Sequence, residues 1–206
     1  MNTSKVKKYN LGYSAGALLY EAFDTVVNES KDFKLLVSGK EKIKYYIIPA
    51  NAESSQKRYL SEIKKRLKNI PISVLDFYMT SDDTSKKVIQ FYAICRCYLV
   101  ILEFMIEVTR NKWLHLDFEL ERYDYKNFLQ EKLLESNQTE YVTSKTLNKL
   151  TQVFFKMLTE LGMYSGKTFN KINVDDSLMR TIAKSGDNWF LDVMLLSDDE
   201  KDKIYE

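Results

Sequence analysis

Ser144–Val174 reads SKTLNKLTQVFFKMLTELGMYSGKTFNKINV. Leu147, Leu150, Val153, Phe154, Met157, Leu158 and Leu161 recur at helical spacing. With Lys145 set at 0° they fill one arc, from about 80° to about 220°. Lys149 (about 40°), Lys156 (about 20°), Gln152 (about −20°) and Asn148 (about −60°) lie on the other side. Thr143 or Ser144 supplies an N-cap, and Gly162 follows Leu161 as the left-handed residue that ends a helix. Met163–Val174 alternates loosely around Gly166, in the manner of a β-hairpin. The stretch therefore predicts an amphipathic helix with one cationic, amide-bearing face, followed by a small basic wing.

The rest of the chain agrees with a helix-built protein. Its 206 residues include 6 Gly and 2 Pro, where average usage of roughly 12% would give about 25. That scarcity excludes collagen-like, linker-rich and turn-dense all-β architectures. With 45% apolar and 13% aromatic residues, and 31 Lys and Arg against 29 Asp and Glu, the chain is not disordered. No apolar run of signal-peptide type opens the sequence, so a cytoplasmic protein is expected.

Periodicity predicts a helix over 14–28 and a short one over 31–37 that stops at Gly39. Ile43–Ile48 fits either a strand or a helix end, and Pro49 terminates it. Ser54 or Ser55 is the expected cap of a helix running to about residue 69, with a short helix over 72–80. Ser81–Thr84 opens a long central helix over about 84–111, in which Arg96, Glu103, Glu107 and Arg110 would form one polar stripe. Its longest unbroken apolar run, Cys97–Leu102, is far short of the roughly 20 residues a membrane span needs. Trp113–Asp124 resists assignment, 124–135 is helical, and the tail holds one or two helical stretches with an acidic end.

The helix over 54–70 repeats the design of the first. With Lys57 at 0°, Lys64 (about −20°), Lys68 (about 20°), Ser61 (about 40°), Lys65 (about 80°) and Arg58 (about 100°) face away from an apolar arc. Glu62 is the only acid near that face. Charge by segment matches: residues 1–70 hold 14 Lys and Arg against 7 acids, 71–142 hold 8 against 12, 143–174 hold 5 against 1, and 175–206 hold 4 against 9. A lysine-rich face alone is what any solvated helix shows. Two of them, each after a short helix and a turn, give the layout of helix-turn-helix modules and the electrostatic footprint of phosphate binding.

Catalytic patterns do not assemble. Gly12–Gly16 matches G-x-S-x-G, but only eleven residues precede it, they are not strand-like, and Ser14 reads as a helix cap. His115 is the single histidine, too little for a metal site. Ser165–Thr168 lacks the earlier glycine of a P-loop, where Leu161 stands. Cys95 and Cys97 point about 200° apart on a helix, so they neither share a metal nor pair. The expectation is a non-enzymatic protein with no cofactor and no metal.

The chain also resembles the BrxA family of BREX (bacteriophage exclusion) systems. YNLGYSAGALLYE resembles the family's N-terminal Gly-Leu-Leu-Glu helix. SSQKRYLSEIKKRL resembles its capped basic stretch, with Lys57, Arg58, Arg66 and Leu67 on the best-matching positions. The long helix ending in EFMIEV fits next. SKTLNKLTQVFFKMLTELGMY is similar to the C-terminal segment, with Ser144, Thr146, Leu158 and Gly162 in matching places. Lys40–Tyr46 and the acidic tail depart from the pattern. The resemblance implies an antiphage-defence component whose relatives have been regarded as membrane proteins, as similar to the antitermination factor NusB, or as DNA-binding helix-turn-helix proteins.

Residues and resemblance together lead to a mainly α protein with two helix-turn-helix or winged-helix-like modules. These are an N-terminal one over 1–80, a central helix and connector over 81–123, and a winged-helix-like unit with acidic tail over 124–206. Double-stranded DNA is the expected partner, held largely by its phosphates through Lys57, Arg58, Lys64, Lys65, Lys68, Lys145, Lys149, Lys156 and Lys167. Lys171 is expected on the wing as well. Other BREX proteins are further candidate partners. RNA binding of the antitermination type, or a scaffold role among BREX proteins, are the alternatives; no membrane is involved.

Overall fold

The computed structural model describes residues 8–206. The first residues of the unit expected over 1–80, and the start of the stretch read for a leader, lie outside them. In chain order the helices are α1 (Tyr20–Glu29), α2 (Phe33–Ser38), α3 (Glu53–Leu67), α4 (Ile72–Tyr78), α5 (Asp83–Cys97), α6 (Leu99–Phe104), α7 (Asn111–Leu114), α8 (Arg122–Glu135) and α9 (Ser144–Leu161). The strands β1 (Tyr164–Ser165) and β2 (Thr168–Phe169) follow, then α10 (Asp176–Lys184), α11 (Trp189–Val193) and α12 (Asp198–Tyr205). The fold is mainly α, with one two-stranded antiparallel sheet among the described residues.

The first helix does not run from 14. Gly12–Ala15 is a 3-10 turn, Gly16 is extended, and Leu19 sits in the left-handed region at φ 60° before α1 begins. The cause lies on α3. The Arg66 guanidinium donates to the carbonyls of Ala17 and Leu18 at 2.8 Å and of Gly16 at 3.0 Å, which keeps them out of a helical ladder. On α2, Asp32 caps the start and Gly39 ends it at φ 73°. Ile43–Ile48 forms neither strand nor helix: Tyr45–Ile47 is a 3-10 turn laid against α3. That helix starts at Glu53 with Ala52 at its N-cap position and no side-chain cap, so neither Ser54 nor Ser55 caps it.

The expected central helix is broken. At Tyr98 the backbone leaves helical geometry (φ −131°, ψ 85°), and the segments on either side lie at 109° to each other. Tyr98 is held by contacts from far along the chain: its hydroxyl donates to Glu62, its ring meets Tyr13 edge-on, and the Lys65 ammonium lies over it. A π-helical turn over Met105–Arg110 then joins α6 to α7. The polar stripe is accordingly dispersed. Arg96 pairs with Asp187, Lys132 with Glu103 and Glu107, and Arg110 with Asp192. Among the described residues no single helix is long and apolar enough to cross a membrane.

The unassigned stretch after Trp113 becomes a third sheet-like segment. Leu120 N–H donates to the Lys167 carbonyl at 2.8 Å, Phe169 N–H donates to that of Phe118 at 2.9 Å, and Glu119 bridges Thr168 antiparallel. Helix α9 has both expected ends: Thr143 Oγ1 accepts from Thr146 N–H, and Gly162 takes φ 88°. The hairpin turns at Gly166 (φ 65°), with Tyr164 opposite Phe169.

Three helices rather than one or two make the tail. Three of its carboxylates are used internally: Asp187 on Arg96, Asp192 on Arg110 and Lys201, and Glu200 on Lys171. One contiguous core runs from Tyr9 to Ile204. At its centre Tyr125 stacks on Phe154 at 4.0 Å, and Phe104 packs edge-on to both.

Candidate nucleic-acid interface

Helix α9 presents the face its spacing predicts. Leu147, Leu150, Val153, Phe154, Met157, Leu158 and Leu161 are buried, while Lys145, Asn148, Lys149, Gln152 and Lys156 are exposed in a row. Lys156 is 3.5 Å from Glu160, the single acid on the helix. Lys167 stands at the hairpin turn, 75% exposed and 3.9 Å from Glu121. Lys145, Lys149 and Lys156 share the exposed side of α9, and Lys167 stands apart from that strip, on the hairpin that follows the helix. Lys171 does not join them, because it lies beyond β2, half-buried and tied to Glu200 of α12.

On α3 the picture is more divided. Lys57, Lys64 and Lys68 follow one strip, but the chain over 39–48 runs beside it. Lys57 binds Glu53 at 2.6 Å and holds its ammonium 4.8 Å from the Tyr45 ring, while the Lys68 stem packs against Gly39. The Glu53 partnership raises the Lys57 pKa above its ordinary value. Lys65 is half-buried over Tyr98, at 4.2 Å from the ring centre. Arg58 is exposed, its guanidinium near the ring of Tyr59.

Pattern misplaces one residue of α3 and is silent on another. Glu62, read as an acid near the cationic face, is buried: it accepts from Arg66 at 2.7 Å and from the Tyr98 hydroxyl at 2.6 Å. Burial first, and then that carboxylate, push the Tyr98 pKa up. Arg66, on a best-matching family position, is fully buried and structural. A fully buried arginine implies a full set of acceptors, and no local spacing pointed to carbonyls at residues 16–18.

The two cationic helices are joined through this network. Arg66 of α3 grips the carbonyls of residues 16–18, and the Leu18 N–H donates to Glu160 of α9 at 2.9 Å. A cleft of about 400 Å³ opens beside the junction, lined by Tyr20, Tyr59, Lys87 and Lys156 among others. Lys44, Tyr45, Tyr46 and Lys87 were not singled out from the sequence. The signal for the first three was the Lys-x-Lys-Tyr-Tyr pattern inside a run read only for its apolar character.

The remaining sequence candidates sit apart. Ser14 is half-buried in the 3-10 turn, and exposed His115 has Nδ1 2.8 Å from the Asn111 carbonyl. Cys95 is buried and Cys97 half-buried, both as free thiols. Among the described residues no group of three His, Cys, Asp or Glu side chains could hold a metal ion.

A mainly α chain with two lysine-lined helices, one of them leading into a short β-hairpin, is the class this architecture defines. The chain belongs to the BrxA family of BREX systems: the family model described as BrxA matches residues 7–185. It is similar to a BREX protein BrxA of Bacillus cereus (strain H3081.97), 27% identical over 177 residues, which cover 81% of this chain and 85% of that one. The fold is also that of a crystal structure of an uncharacterized protein from Magnetospirillum magneticum. The TM-score is 0.75 at 14% identity, over 93% of this chain and 100% of that chain.

Proposed function

We propose that this protein is a non-enzymatic, duplex-DNA-binding component of a cytoplasmic BREX antiphage assembly. The carrying observation is the arrangement around α9. A helical stretch through α7, a strand-like segment at 118–120 bridged to β2, then α8, α9 and the β1–β2 hairpin follow in the order of a winged helix. On this reading the exposed strip of α9 and the hairpin lysine are the groups that would face DNA. Lys145, Lys149, Lys156 and Lys167 contact phosphates, with Asn148 and Gln152 beside them as the groups able to reach base edges. Lys57, Arg58, Lys64, Lys65 and Lys68 add backbone contacts from α3. Specificity is weak, because lysine is a point charge without the fork that reads guanine.

Mobility shifts with duplex DNA at two salt concentrations test this. Affinity should fall with a log–log slope of about −0.9 per phosphate neutralised. Changing Lys145, Lys149 and Lys156 to Glu should abolish the shift with unchanged far-UV circular dichroism. Preference for RNA in direct competition would indicate the antitermination-like role instead. Stable co-purification with BREX proteins and no shift would indicate a scaffold.

A further inference from the structure

Between α3 and the turn at 45–47 lies a shallow groove of about 580 Å³, lined by Ile43, Lys44, Tyr45, Tyr46, Lys57 and Lys64 among others. Every charged residue lining it is a cation. Tyr46 is 60% exposed, a large aromatic surface left in solvent. Tyr45 meets it edge-on at 6.2 Å, Lys44 Nζ lies 5.5 Å from the Tyr46 ring centre, and Lys57 Nζ lies 4.8 Å from that of Tyr45. Glu53 lies beside the groove, in an open pair with Lys57 in which both side chains are more than half exposed. Such a pair is weak enough for a phosphate to displace.

We propose that this groove binds single-stranded DNA, one unpaired base stacking on Tyr46 while the flanking phosphates rest on Lys44, Lys57 and Lys64. A base in a duplex has both faces occupied by its neighbours and offers none to a tyrosine; an unpaired base does, and aromatic rings among cations are how single strands are held. The choice of DNA over RNA rests on the duplex-DNA reading of α9. At a junction the duplex would stay on α9 and its hairpin, and Lys57 and Lys64 would hold the phosphates of the unpaired strand in place of those of the duplex.

The test is fluorescence anisotropy on the full chain with a labelled oligothymidylate of about ten nucleotides, within the usual single-strand site size. Tyr46→Ala should weaken binding about tenfold and Tyr46→Phe should keep it, stacking being worth on the order of 1–3 kcal/mol per base. A wholly abasic strand of equal length should bind the parent and Tyr46→Ala proteins alike. Oligothymidylate should bind at least as tightly as oligouridylate. Equal oligothymidylate affinity for parent and Tyr46→Ala, or an abasic strand that tells them apart, overturns the stacking site; tighter oligouridylate binding overturns its assignment to DNA. The α9 reading stands or falls separately, because Tyr46→Ala should leave the duplex shift intact and the α9 triple variant should remove it.

Discussion

Replacing Arg66 with methionine removes a buried cation at nearly constant volume. The guanidinium is inaccessible, makes one charged bond to Glu62 at 2.7 Å and three to main-chain carbonyls at 2.8–3.0 Å. The variant leaves Glu62, 6% exposed, with only the Tyr98 hydroxyl. It also leaves the carbonyls of Gly16, Ala17 and Leu18 without their donor. Breaking a buried pair from one side costs about 3–5 kcal/mol. For a chain of this length that lowers the thermal midpoint by about 6–20 °C, at roughly 2–4 °C per kcal/mol. Removing the whole network, as Glu62→Leu, Arg66→Met and Tyr98→Phe together, should recover part of the loss, because no uncompensated charge then remains. Urea unfolding followed by circular dichroism gives the free energies. A loss under about 1 kcal/mol for Arg66→Met, or a triple variant as unstable as the sum of its singles, refutes the reasoning.

Other expectations follow from single sites. Lys171 and the Ser197 N–H lower the Glu200 carboxyl to about 2 from its ordinary 4.5. The folded state thus favours the charged form, so this stabilisation is full above pH 4.5 and is lost as pH falls toward 2. The Glu200→Gln variant should show a flatter urea midpoint across that window. Burial pushes the Cys97 thiol up to about 11 and that of Cys95 well above its ordinary value. A disulfide reagent at pH 7 should label both slowly until denaturant is added, and fast labelling of the folded chain would contradict this. Gly162→Ala should cost about 1 kcal/mol in the same urea assay, from backbone strain. The glycine sits at φ 88° with its nearest would-be neighbour, Ile172 Cγ2, at 3.8 Å, so crowding adds nothing.

Helix α9 was legible because its determinants are local: an apolar arc, a threonine cap, a terminal glycine. The hairpin at Gly166 and the stop at Gly39 were legible for the same reason. The break at Tyr98 was not. Nothing within five residues of it is Gly or Pro, and the groups that hold it, Glu62, Lys65 and Tyr13, come from more than thirty residues away. The late start of α1 is likewise decided by Arg66, 48–50 residues on. For the site, spacing found the α9 strip. Glu62 defeated it, because a charged residue reads as a surface residue until its buried partners are known. The acidic tail read as a separate electrostatic block, yet its carboxylates pair with Arg96, Arg110 and Lys171.

The short non-helical run at 16–18 has a mechanical meaning. Held by Arg66 on one side and Glu160 on the other, it makes the separation of the two lysine-lined helices a fixed length rather than the reach of a tether. A flexible linker would accept many ligand geometries at an entropic cost for each; a rigid strut accepts few and spends almost nothing on ordering. On the proposed reading the molecule would act as a caliper: a nucleic acid whose charged elements match its gauge would engage both helices at once, and one too straight or too bent would engage a single helix.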